Sequence, residues 1–125
     1  MDYFNAALIF QHGLGLSDYK RAQVLAREAE RRGGGEEARW LYAVATDRLL
    51  IAQGRKQKFG SQLSIVRIID RRTGRPRRTM KLLPYDKRTG DATRTRHGLP
   101  ALAILLKMDG IHPPARQKKI RFKSE

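Results

Sequence analysis

Glu36-Glu37-Ala38-Arg39-Trp40-Leu41-Tyr42-Ala43-Val44-Ala45-Thr46-Asp47-Arg48-Leu49-Leu50-Ile51-Ala52-Gln53, the stretch from 36 to 53, decides the fold. On a helical wheel it is apolar around nearly its whole circumference, and only Arg39, Thr46 and Gln53 form a narrow polar strip. A helix of that kind is expected at the centre of a domain, with other helices around it. Glu36 and Glu37 suit its positive end, and Gly54 closes it. Two charges stand where apolar residues are expected: Asp47 projects between Trp40, Ala43 and Ile51, and Arg48 between Leu41 and Val44. Neighbouring residues on a helix diverge by about 100°, so the two do not simply pair with each other and each needs a partner from elsewhere.

Toward the N-terminus, Gly33-Gly34-Gly35 makes a turn and the chain before it reads as a second helix from an N-cap at Ser17 to about Arg32, with Gly33 at C′. Tyr19, Ala22, Leu25, Ala26 and Ala29 share one stripe, and its alanines permit close helix approach. A shorter helix is expected over Asn5 to His12, with Asn5 as N-cap and Gly13 as its stop. Toward the C-terminus the period changes. Leu63 to Ile69 is dense in β-branched residues, Asp70 to Pro76 carries turn signals, and Arg78 to Leu83 returns, which predicts a β-hairpin at about 62–83. Pro84 to Gly98 reads as irregular, and Leu99-Pro100 opens a short helix ending near Gly110. The expectation is a mainly α chain, with a single domain over 1–110 and a basic, flexible tail over 111–125.

The chain has 125 residues with 27 Lys and Arg against 12 Asp and Glu, a net charge of +15. Residues 1–54 hold equal numbers of acidic and basic side chains, so the whole surplus lies in 55–125. Such a field attracts polyanions whatever the fold. With no cysteine, disulfides and thiolate chemistry are excluded. Apolar runs fall well short of the roughly 20 residues a membrane helix needs. A soluble, untargeted, cytoplasmic chain of bacterial type, with no membrane partner, is the expectation.

Familiar catalytic patterns fail. Gly13-Leu14-Gly15 starts a dinucleotide pattern, but Asp18 stands where the third glycine belongs. His12, His97 and His112 lack the i, i+4 spacing for one metal ion, so no metal site or cofactor is expected. Gly60-Ser61-Gln62 lacks the second glycine of a nucleophile elbow.

Taken together, Phe10-Gln11-His12-Gly13, Asp18-Tyr19 with the alanine stripe, Ala38-Arg39-Trp40-Leu41, Asp47-Arg48 and Gly54-x-x-Gln57-x-Phe59-Gly60-Ser61-Gln62 carry a resemblance. The chain resembles a bacterial domain family of unknown function, with tetratricopeptide-like helical hairpins and a G-x-x-Q-x-[YF]-G-[TS]-Q signature. The resemblance covers about residues 5–62, and Pro84, Asp86, Thr89, Asp91 and Arg94 match a weaker downstream segment ending in Leu99-Pro100-x-Leu102. The chain departs from the family at Met1, where members carry further residues, and in its arginine-rich hairpin and tail. The resemblance implies tetratricopeptide-like helical hairpins and a polar cluster; the β-hairpin and the short C-terminal helix that follow are expected from the residue pattern. It implies no reaction.

Each candidate carries two readings. His12 is a helix cap or a catalytic base. Asp47 and Arg48 are clamped by an ion pair or by backbone, Asp47 to His12 or to a loop arginine for example, or they form a site with a shifted acid. Gln57 and Gln62 are a latch or the mouth of a polar pocket. Arg71, Arg72, Arg75, Arg77 and Arg78 are a solvated tip or a phosphate-binding ribbon, aided by Arg116, Lys118, Lys119, Arg121 and Lys123 of the tail. Few aromatics accompany them, so base stacking is poorly supported. The favoured function is a non-enzymatic module that contacts nucleic-acid backbone or another polyanion. Its rivals are a small enzyme using His12, Asp47, Arg48, Gln57 and Gln62, and a protein-interaction module using the helical surface.

Overall fold

The computed structural model describes residues 2–107 and the backbone of 111–112. Three helices come first, α1 (Tyr3–Gln11), α2 (Leu16–Ala29) and α3 (Gly35–Ala52), followed by an antiparallel hairpin of β1 (Leu63–Ile69) and β2 (Pro76–Leu82). Two short helices, α4 (Asp91–Arg96) and α5 (Leu102–Leu105), and a two-residue strand β3 (Ile111–His112) complete it. The chain is thus mainly helical, with a helix-rich N-terminal part, a two-strand hairpin and a short helix after it. Of the tail expected over 111–125, Ile111 and His112 form β3, and residues 113–125 lie outside the described residues.

Helix α2 packs on both α1 and α3. Its stripe of Ala22, Ala26 and Ala29 is buried, which brings backbones close, and one core joins Ala7, Ala26 and Leu41 with Phe4, Leu8, Leu25 and Tyr42 packed around it. The central helix buries Ala38, Leu41 and the run Ala43 to Asp47. Its polar strip is narrower than the wheel implies. Thr46 is buried, and its hydroxyl accepts from Gln23 Nε2 of α2 at 2.9 Å, so a neighbouring helix takes the place of water.

Both N-terminal caps differ from expectation. Helix α1 starts a turn earlier than Asn5, because Asp2 accepts from the Asn5 backbone N–H at 3.0 Å and from its side-chain amide at 2.6 Å. Helix α2 starts at Leu16 behind an extended Gly15, which leaves Ser17 inside the helix and not at its cap. At its other end α2 runs into a π-type turn over Glu30–Gly34, and the chain leaves helical geometry at Arg32 and at Gly33 with φ +92°. Only glycine takes that conformation cheaply.

In the hairpin Leu63 pairs with Leu82, Arg67 with Arg78 and Ile69 with Pro76. Strand β3 pairs in parallel with β2 at Met80 and Lys81, a third strand that extends the hairpin into a sheet. The stretch 84–98, expected to be irregular, contains α4. The helix expected from Leu99-Pro100 to about 110 is only Leu102–Leu105, and its first N–H is capped at long range by Asp91 Oδ1 at 2.9 Å. Among the described residues no helix is long and apolar enough to cross a membrane.

Candidate functional site

The segment from Gly54 to Gln62 leaves α3 and enters β1, and the buried face of α3 fixes its course. Asp47 is 0% exposed. Its Oδ1 accepts from the backbone N–H of Lys58 at 2.8 Å and of Phe59 at 2.9 Å, while Oδ2 accepts from Ser61 N–H at 2.9 Å and Ser61 Oγ at 2.6 Å. The partner is therefore backbone plus one hydroxyl, not His12 or an arginine. Four donors wrap one carboxylate, which is how a buried acid is held without a salt bridge.

Gln57, also fully buried, uses its whole amide. Nε2 donates to Gln62 O at 3.1 Å and Leu83 O at 2.9 Å, and Oε1 accepts from Gln62 N–H at 2.9 Å. Its backbone is used as well, since Gln57 N–H donates to Pro84 O and Gln57 O accepts from Asp86 N–H. Gln62 Nε2 then donates to Ser61 Oγ at 3.0 Å, so Asp47, Ser61, Gln62 and Gln57 form one chain of hydrogen bonds. Between them the Phe59 ring is buried against Ala43 and Leu99, 4.6 Å from the His97 ring.

Arg94 of α4 completes this cluster from the far side. It is 2% exposed, its Nη1 donates to Phe59 O and its Nε to Pro100 O at 3.0 Å, and Nη2 is buried without a partner among the described residues. Burial pushes its guanidinium below the usual value, with Asp91, Asp47 and Tyr85 pulling the other way. Gly60 explains why the loop can pass so close. Its φ is +79°, and a Cβ there would stand 2.5 Å from Arg94 Nη1.

The remaining two candidates lie elsewhere. Arg48 Nη1 donates to Gln11 Oε1 at 2.9 Å and Gln11 O at 3.3 Å, and its guanidinium lies over the Tyr19 ring. His12 is exposed at the end of α1, with its ring 3.2 Å from Gln11 Nε2. The hydrogen bonds therefore sort the five into two sets: His12 and Arg48, each bonded to Gln11, and Asp47, Gln57 and Gln62, joined through the 57–62 loop. Among the described residues no three His, Asp or Glu side chains are grouped to hold a metal ion.

The arginine-rich hairpin tip is different. Arg71, Arg72, Arg75, Arg77 and Arg78 are all exposed. The one ion pair they make among the described residues is Arg77 Nε to Asp70 Oδ2 at 3.8 Å. Asp70 also caps the turn, accepting from Arg72 N–H at 2.8 Å. The pairing adds a residue that composition alone passes over. Arg67, exposed on β1, stands directly opposite Arg78 on β2. It is the one charge in β1, but its partner depends on a register that the sequence alone does not give. The tail cations Arg116, Lys118, Lys119, Arg121 and Lys123 lie outside the described residues. Comparison with family models, with curated proteins and with solved structures gives no match.

Proposed function

We propose that this chain is a non-enzymatic binding module for a polyanion, and that it grips nucleic-acid backbone through the β1–β2 hairpin. One observation carries the reading: six exposed arginines, Arg67, Arg71, Arg72, Arg75, Arg77 and Arg78, share one hairpin that offers them a single carboxylate at its turn. Guanidinium groups free of carboxylate partners match phosphate in bidentate fashion. A two-stranded ribbon also has the width to enter the major groove of a duplex. The basic tail is read as a second, weaker contact of the same kind. The helical half is read as tetratricopeptide-like hairpins, supported by the alanine stripe on which α1, α2 and α3 pack. The enzymatic rival draws no support from the Asp47 cluster, because Asp47 and Gln57 spend their hydrogen-bonding capacity inside the fold.

The test is fluorescence anisotropy of labelled DNA and RNA duplexes across a salt series. Contact with about six phosphates gives a slope of log affinity against log salt near −5, since each contributes roughly −0.9 on B-DNA. Replacing Arg71, Arg72, Arg75, Arg77 and Arg78 by Ala is expected to flatten that slope and to weaken binding evenly across sequences. No binding to either duplex at about 50 mM salt would remove the reading, because the electrostatic term is strongest there.

A further inference from the structure

Helix α2 is buried on its alanine side, yet its other side is not clothed in polar residues alone. Val24 is 61% exposed, and Leu14, in the turn that leads into α2, is 98% exposed. Together with Phe10 from α1 and Leu25, Val24 lines an open, largely apolar groove of about 560 Å³, edged by Ser17, Lys20 and Arg21. Ser17, Lys20, Arg21 and Val24 recur at i, i+3, i+4 and i+7, so the groove runs along a full helical stripe. The Arg21 guanidinium lies over the Phe10 ring, 5.6 Å from its centroid, which keeps a positive charge at the lip of the groove. The hairpin arginines lie on a separate element, so this surface does not depend on polyanion binding.

We infer that this groove is a docking site for an acidic amphipathic helix of a partner protein, with its apolar stripe on Phe10 and Val24 and its carboxylates on Lys20 and Arg21. Charge selects this occupant among those available. A second copy of the chain would bring Lys20 and Arg21 against their own likeness in a molecule of net charge +15. The chain's own segment 113–125 carries five Lys or Arg against one Glu and is repelled for the same reason. An apolar stripe with flanking carboxylates satisfies both the groove and its rim.

The probe is a labelled helical peptide of about 15 residues with leucines at i, i+3, i+4 and i+7 and glutamates at the flanking positions. One comparator has lysine for every glutamate, and a second is a scramble of the same composition. Saturable 1:1 binding of the Leu/Glu helix is expected, with backbone amide shifts mapping to residues 10 and 17–25, and both comparators weaker by about tenfold or more. Val24→Ser, at a site already exposed, is expected to weaken binding about tenfold with an unchanged circular dichroism spectrum. Lys20→Glu with Arg21→Glu is expected to reverse the preference toward the lysine helix. Equal binding of the scramble, or binding untouched by Val24→Ser, would overturn the inference, because it would reduce to bulk charge attraction. A dimer in sedimentation equilibrium that Val24→Ser dissolves would overturn it in favour of a second copy.

Discussion

Replacing Asp47 by Asn changes one atom and tests the account of the 57–62 loop. The carboxylate accepts from four donors, two at each oxygen, and is fully buried. An amide has one acceptor oxygen, so its NH₂ must face either the Lys58 and Phe59 N–H groups or the Ser61 N–H. The Ser61 hydroxyl can rotate to accept, but a backbone N–H cannot. At least one buried donor is then orphaned against another donor, at about 1–3 kcal/mol, and charge-assisted bonds weaken to neutral ones at about 1 kcal/mol more. Asp47→Asn should therefore cost about 2–4 kcal/mol. Asp47→Ala, which frees every donor but lets water reach half-buried Ser61 and exposed Lys58, should cost about 3–5 kcal/mol. Trp40, the single tryptophan, sits in α3 and reports unfolding in urea. With a slope of about 2 kcal/mol per molar, a 3 kcal/mol loss moves the midpoint by about 1.5 M. An Asn variant within about 0.5 kcal/mol of wild type, at unchanged slope, would mean that the loop is not held by this carboxylate.

Two further outcomes follow from the same geometry. Gly60→Ala pays both for its φ of +79° and for a Cβ 2.5 Å from the pinned Arg94, whereas Gly74→Ala at φ +73° meets nothing within 4 Å among the described residues. Gly74→Ala should cost about 1–2 kcal/mol and Gly60→Ala at least about 1 kcal/mol more, and equal losses in urea would refute the Arg94 contact. At the surface, Arg88 bonds Asp86 through Nε at 3.0 Å and Nη2 at 2.9 Å and holds its carboxyl well below the usual range. A depressed folded value adds stability that is present above the ordinary carboxylate pKa of about 3.9 and is lost as pH falls through it toward the folded value. The gap between wild type and Asp86→Asn in urea midpoint should accordingly close in acid, and a gap that widened there would contradict the pairing.

What could be read in the sequence, and what could not, divides by the range of the interaction. Helix α3 and the burial of Asp47 follow from a wheel, because a charge in an apolar arc is a local fact. The β1 run follows from its β-branched residues. Helix α4 was missed because Asp91 to Arg96 has no apolar stripe. Its anchor is Arg94, whose buried guanidinium takes the place that Leu or Phe fills in an ordinary helix, and hydrophobic periodicity does not register it. The capping errors have a different origin. Asp2 and Asn5 both offer a side-chain oxygen near the start of α1, and the structure uses the first to hold the second. Strand β3 is two residues that pair in parallel with β2 across some thirty positions, a contact with no local signature. The different partners of His12 and Asp47 belong here too, since a shared motif pattern does not say which residues bond one another.

The most conspicuous residues of the sequence and the residues with unused capacity are different sets. In the loop from Gly54 to Gln62, Gly54 and Gly60 take positive φ, Gln57 satisfies its amide, Phe59 fills the core, and Ser61 and Gln62 join the chain that ends on Asp47. These residues bolt the end of α3 to the base of the hairpin, and a ligand would have to break them apart to be bound by them. The hairpin above them has the opposite character. Arg67 and Arg78 face each other across the ladder, an arrangement that costs a few tenths of a kcal/mol in the free protein. A phosphate lodged between them would remove that repulsion and gain two charge-assisted contacts, so the same pair that weakens the free hairpin would strengthen the complex. Such a device works only on a rigid base. The buried clamp at Asp47 supplies one, because it fixes where β1 begins and, through the Gln57 bond to Leu83, where the hairpin ends. On the proposed reading, the loop would aim the arginines without itself touching a phosphate.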